Sequence, residues 1–96
     1  MILQKIPVEF SEQALAEIRN IISKKGIPSD HALRVGVRGG GCGVTRIIGF
    51  DRPREQDQEW ELAGIRVIID KGHIMHLIGC KVSFYEDEER RGFLFE

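Results

Sequence analysis

Apolar residues recur at helical spacing in one long stretch of this chain and at every second position in most of the rest. Ala14, Leu15, Ile18, Ile21 and Ile22 fall on one face of a helix. Ser11 suits its N-cap, Glu12 favours the positive end of the helix dipole, and Phe10 and Leu15 have the spacing of a hydrophobic staple. Lys24 and Lys25 suit the C-terminal end, Gly26 fits just beyond it, and Pro28 prevents continuation. This helix is expected to be scaffold, packing its apolar face on a sheet. Ahead of it, Lys5 to Val8 is a candidate for a short strand.

Leu33, Val35 and Val37 alternate with Arg34, Gly36 and Arg38, the period of a strand with one buried face. Thr45 to Asp51 reads as a second strand, so the glycine-rich segment between the two predicts a hairpin with Cys42 near its tip. Arg52 to Glu59 is polar, carries Pro53 and is expected to be a loop. Glu61 and Leu62 begin another strand, Gly64 marks a turn, and Ile65, Val67 and Ile69 alternate up to Asp70. Asp70 then suits the cap of a short helix ending at Gly79, whose Ile74, Leu77 and Ile78 cluster on one side. Lys81 to Tyr85 and Gly92 to Phe95 are the last strands, joined by an acidic turn at Glu86 to Glu89 that is expected to be solvated surface.

These elements predict one α+β domain spanning residues 1–96, with no internal repeat. Its sheet should be small, curled and mixed or mainly antiparallel, sandwich-like or barrel-like, with one main helix over a face or opening and one short helix. A net charge of −1 and a pI near 6.3 give no electrostatic case for nucleic acid or an anionic membrane as partner. The sequence has neither a stretch long enough to span a bilayer nor the pattern of a signal peptide, so a cytoplasmic location is expected. Two cysteines, Cys42 and Cys80, are too few for a disulfide scaffold, which leaves thiols or metal ligands.

The candidate chemistry lies in Arg38-Gly39-Gly40-Gly41-Cys42-Gly43. Each glycine permits close approach to the backbone but costs more ordering entropy than another residue. Four glycines around one cysteine are therefore either a flexible hairpin connection or a loop built to present Cys42 or bare amides to a partner. Arg38 is either an outward-facing strand residue or a cation that holds an anion or draws Cys42 toward thiolate. Cys80 follows Gly79 at a strand start, a place that fits a core cysteine better than a ligand. His73 and His76, three apart, have a spacing compatible with metal binding but also with solvated surface, and His31 sits beside Asp30 in a loop. Enzyme templates fail. No Gly-Lys-Ser/Thr follows the glycines, the dinucleotide fingerprint does not fit, and a Cys42 paired with His73 or His76 lacks an identifiable orienting residue.

The stretch Leu33 to Gly43 resembles the strand-and-cysteine motif of the HesB-like family, the A-type iron-sulfur cluster carriers. The resemblance continues through Phe10-Ser11 and the helix, Gly64 to Asp70, Leu77-Ile78-Gly79, Val82-Ser83-Phe84 and Gly92 to Phe95. It implies a non-enzymatic role in iron-sulfur cluster assembly or iron handling. It also implies a homodimer, assembly or recipient proteins as partners, and iron or a cluster shared between subunits as cargo. Cys42 matches the family's loop cysteine, presented by Gly39, Gly40, Gly41 and Gly43. The family's Cys-x-Cys tail has no counterpart before Glu96, and Gly43-Val44 stands where the family has Ser-Gly. With Cys42 alone the ligand set is incomplete, since clusters take four ligands. Cys80 is a weak second candidate. The alternative implied is an interaction or regulatory module that kept the fold and binds no cluster.

Overall fold

The computed structural model describes residues 5–39 and 43–96. Among them, seven strands, one α-helix and one 3-10 helix follow in the order β1 (Glu9–Phe10), α1 (Glu12–Lys24), β2 (Ala32–Arg38), β3 (Thr45–Asp51), β4 (Asp57–Leu62), β5 (Ile65–Asp70), the 3-10 helix (Lys71–His76), β6 (Lys81–Glu86) and β7 (Arg91–Phe95). They form two mixed sheets, with strand orders β1-β6-β7 and β3-β2-β5-β4. The β1-β6 and β2-β5 pairs are parallel and the others antiparallel. The sheets stay open rather than closing into a barrel, and the α+β architecture with one main and one short helix is as the sequence predicts.

Helix α1 begins where its cap chemistry places it. The Ser11 hydroxyl accepts from the Ala14 amide at 3.0 Å, and Glu12 occupies the first turn. Ala14 and Ile18 are fully buried, Leu15 packs beside them, and Ile22 at the helix end is exposed. The core gathers these side chains with Leu33 and Val35 from β2, Trp60 from β4, Ile65, Val67 and Ile69 from β5, Ile74 and Leu77, and Val82 from β6. One continuous cluster thus ties both sheets to the helix. Burying each of the Val, Leu and Ile side chains in it contributes about 1.5–3 kcal/mol.

Three expectations need correction. The first strand is Glu9–Phe10 and not Lys5 to Val8. Proline has no amide proton, so Pro7 cannot donate to a ladder. It only accepts from the Gly79 amide, and pairing starts at Glu9, whose amide bonds the Cys80 carbonyl at 2.9 Å. The polar stretch after β3 is a loop only through Gln56, because Asp57–Leu62 forms an edge strand antiparallel to β5. Its charges face partners on the sheet's outer side: Asp57 meets Arg34, and Glu59 takes a bidentate bond from Arg66 at 2.8 and 3.0 Å. Finally, the short helix is 3-10 over Lys71–His76, with the Asp70 carboxylate accepting from the Gly72 amide at 2.8 Å. At three residues per turn Ile74 and Leu77 stack on one side, both fully buried, while Ile78 lies 55% exposed.

Candidate functional site

The β2–β3 hairpin carries the glycine loop. Its ladder runs from Ala32↔Asp51 at one end to Arg38↔Thr45 at the other, so the loop leaves the sheet at Arg38 and re-enters at Thr45. Gly40, Gly41 and Cys42 lie outside the described residues. Gly39 has φ +107°, and a Cβ there would stand 3.1 Å from the Gly43 carbonyl oxygen. The neck of the loop therefore requires glycine at position 39 on two counts. At Gly43 nothing comes within 4 Å among the described residues, so the contacts described there call for glycine at position 39 and not at 43. Arg38 ends β2 with an exposed side chain.

Beside this stem stands a residue whose placement the sequence left open. His73, half-buried on the 3-10 helix, accepts a hydrogen bond at Nδ1 from the Val37 amide at 3.3 Å. Its ring covers Gly36, where a Cβ would lie 3.0 Å from Nδ1. The solvated-surface reading thus fails for His73. A glycine inside an alternating strand is the signal that could have found it, since such a residue marks a close approach. His76 is exposed, and His31 bonds Asp30 through Nδ1 at 2.9 Å.

The opposite end of the hairpin is held by charge. Arg34 Nε bonds Asp51 at 2.9 Å, its two terminal nitrogens bond Asp57 at 2.7 and 2.6 Å, and the Arg54 amide adds a bond to Asp57 at 2.7 Å. Burial pushes the Asp57 carboxyl up, but the Arg34 hydrogen bonds, the Arg54 amide and the two guanidinium charges outweigh it and hold the carboxyl below its ordinary 3.8. At Asp51 the bond from the Arg52 amide, joined by Arg34 and Arg54, lowers the carboxyl in the same direction. Ile68, in register with Arg34 on one side and Glu59 on the other, is fully buried under this charged outer face.

Cys80 starts the β6 edge of the turn, 5% exposed, its Sγ 3.9 Å from the His76 carbonyl oxygen. Among the described residues no three His, Cys, Asp or Glu side chains come together as a group able to hold a metal ion. Nor, among them, is any helix long and apolar enough to cross a membrane.

No family model matches the chain. Individual relatives do. The iron-sulfur cluster insertion protein ErpA of Stenotrophomonas maltophilia is 35% identical over 82 residues, covering 83% of this chain and 62% of that protein. The chain therefore spans somewhat under two thirds of that relative. ErpA of Hydrogenovibrio crunogenus is 34% identical over 92 residues, covering 94% of this chain and 80% of the relative. The chain belongs to the HesB-like family of A-type iron-sulfur cluster carriers. The fold agrees. A crystal structure of Escherichia coli SufA, described as involved in biosynthesis of iron-sulfur clusters, superposes with a TM-score of 0.81 at 20% identity, over 100% of this chain and 84% of that one. IscA, in a crystal structure with a [2Fe-2S] cluster, superposes with a TM-score of 0.69 at 22% identity, over 93% and 80%. The HesB-like fold thus holds over the whole described chain, including the hairpin whose loop carries Cys42.

Proposed function

We propose that this chain is a non-enzymatic carrier that takes up iron or an iron-sulfur cluster and passes it to recipient proteins, with Cys42 as the thiolate that holds the cargo. The observation that carries this reading is the 34% identity to an ErpA insertion protein over 92 residues, nearly the whole chain. The fold shared with SufA and IscA supports it. So does the neck of the glycine loop, where Gly39 and Gly43 close on each other at the end of the β2–β3 ladder.

Four ligands complete a cluster, and a single protomer supplies one loop thiolate. Two copies of this chain would bring two, leaving the remaining positions to further thiols or to the recipient. Cargo held this way leaves readily, which suits a carrier better than a resident cofactor. Cys80 is assigned to the core rather than to the ligand set, because it is enclosed and its sulfur faces a backbone carbonyl. The free thiol of Cys80 and the thiolate role of Cys42 in this reading suit a reducing compartment such as the cytoplasm.

The test is anaerobic reconstitution with ferrous iron and sulfide. The protein should gain thiolate-to-iron charge-transfer absorbance, and Cys42→Ser should abolish it while Cys80→Ala leaves it in place. A protein that stays colourless at stoichiometric iron and sulfide would count against the reading and leave an interaction module of the same fold.

A further inference from the structure

Strand β2 loses its partner on one side before it reaches the loop. Its parallel register with β5 comprises Leu33↔Val67 and Arg34↔Ile68, and β5 ends at Asp70. Beyond these pairs the Val37 amide, on that side of β2, faces the 3-10 helix instead of a strand. There the Val37 amide donates to His73 Nδ1, two residues before Gly39. A nitrogen that accepts from an N–H carries a lone pair and no proton, so the ring proton of the neutral imidazole sits on Nε2. Neither nitrogen then has a lone pair free for a metal. His76, its neighbour at the same helical repeat, is exposed and has no such bond among the described residues.

We propose that His73 is a positioning residue and not a ligand: as the Nε2–H tautomer it replaces the missing strand and fixes the stem from which the Cys42 loop projects. Gly36 is the other half of the device, because any side chain there would meet the ring that its absence admits. The two positions are matched across 37 residues of sequence, the glycine opening a slot in the sheet and the histidine filling it with an acceptor. In its effect on cargo this role rests on the carrier reading above. Its effect on the stem does not.

The experiment uses the full chain. Long-range proton-nitrogen correlation spectra of the labelled wild type should show His73 Nδ1 unprotonated and Nε2 protonated. His73→Ala should speed exchange of the Val37 amide about tenfold, the loss of one hydrogen bond. His73→Asn, whose Oδ1 reaches the place of Nδ1, should restore it. With protein loaded from ferrous iron and sulfide, transfer of iron to a chelator should be faster in His73→Ala and return toward wild type in His73→Asn, a rescue that a general loss of packing would not give. An Nδ1–H tautomer in the wild type overturns the proposal without any variant being needed. So does a His73→Ala protein with unchanged Val37 exchange, or with faster exchange and unchanged iron transfer. If the wild type takes up no iron, the carrier reading fails, while the tautomer and the Val37 amide still decide whether His73 fixes the stem.

Discussion

Arg34 and Asp57 meet in a two-pronged ion pair of 2.7 and 2.6 Å, and the Asp57 side chain is only 3% exposed. The pair joins β2 to the start of edge strand β4 and, through Asp51, to the end of β3. It therefore helps to fix the polar loop between β3 and β4, which backbone bonds from Lys71 to Gln56 and from Asp57 to Arg54 also hold. Removing Arg34 takes both guanidinium bonds from the buried Asp57 carboxylate and leaves it the Arg54 amide at 2.7 Å. Arg34→Ala should cost about 3 kcal/mol or more in urea unfolding. Replacing both partners, as Arg34→Met with Asp57→Leu, should recover part of that loss, because no uncompensated charge remains. A double variant less stable than Arg34→Ala would show that packing rather than charge dominates here.

The same pair sets an acid limb. The folded-state carboxyls of Asp57 and Asp51 lie below 3.8, so the unfolded chain binds protons first as the pH falls. The stability they contribute is complete above the unfolded value, about 3.9, and is lost as the pH drops through their lower folded values. Unfolding free energy should therefore decline with acidification below about pH 5. The slope should be shallower in Asp57→Asn, which carries no titrating group at that position. Equal slopes for wild type and variant between those limits would remove Asp57 from the acid response.

How much of this could be read from the sequence depends on what each segment uses to hold itself. Helix α1 and the β2–β3 hairpin were legible because burial on one face imposes a period, and Ser11 announces the cap. The ordered motifs along the chain were enough to reach the family. Asp57 and Glu59 hid the start of β4, since charged residues signal a loop until Arg34 and Arg66 are known to lie opposite them. Pro7 shifted β1 for a reason that needed Gly79 and Cys80 as neighbours. The role of His73 depends on Gly36, and nothing local to either residue reveals the other. The tip of the loop, with Cys42, was read from the sequence and lies outside the described residues.

Trp60 offers a probe of the core from the side away from the site. It is the single tryptophan, 9% exposed, and its Nε1 finds no hydrogen-bond partner among the described residues. Its emission should be blue of an exposed tryptophan and move red on unfolding in step with loss of secondary structure, as a two-state domain requires. Trp60→Phe gives up ring contacts but also removes an unpaired donor, an offset worth about 1–3 kcal/mol. It should thus cost less than a truncation such as Ile18→Ala, expected at about 2–5 kcal/mol. The comparison is a pair of denaturation midpoints, and a larger loss in Trp60→Phe would mean that the indole nitrogen is satisfied in solution.

Gly39 and Gly43 separate the two uses a glycine loop can have. At Gly39 an added Cβ meets the Gly43 carbonyl oxygen at 3.1 Å in a backbone with φ +107°, so Gly39→Ala should cost about 1–3 kcal/mol from strain alone. At Gly43 an added Cβ meets nothing within 4 Å among the described residues. Gly43→Ala should leave stability unchanged or raise it by about 0.4–1 kcal/mol, through the lost freedom of the unfolded chain. Iron retention then reads what stability does not. If the loop exists to present Cys42, Gly43→Ala, next to the thiol, should retain less iron from an anaerobic load even though its unfolding midpoint is intact. If it is a plain hairpin connection, retention should follow stability, with Gly39→Ala the weaker carrier and Gly43→Ala indistinguishable from wild type.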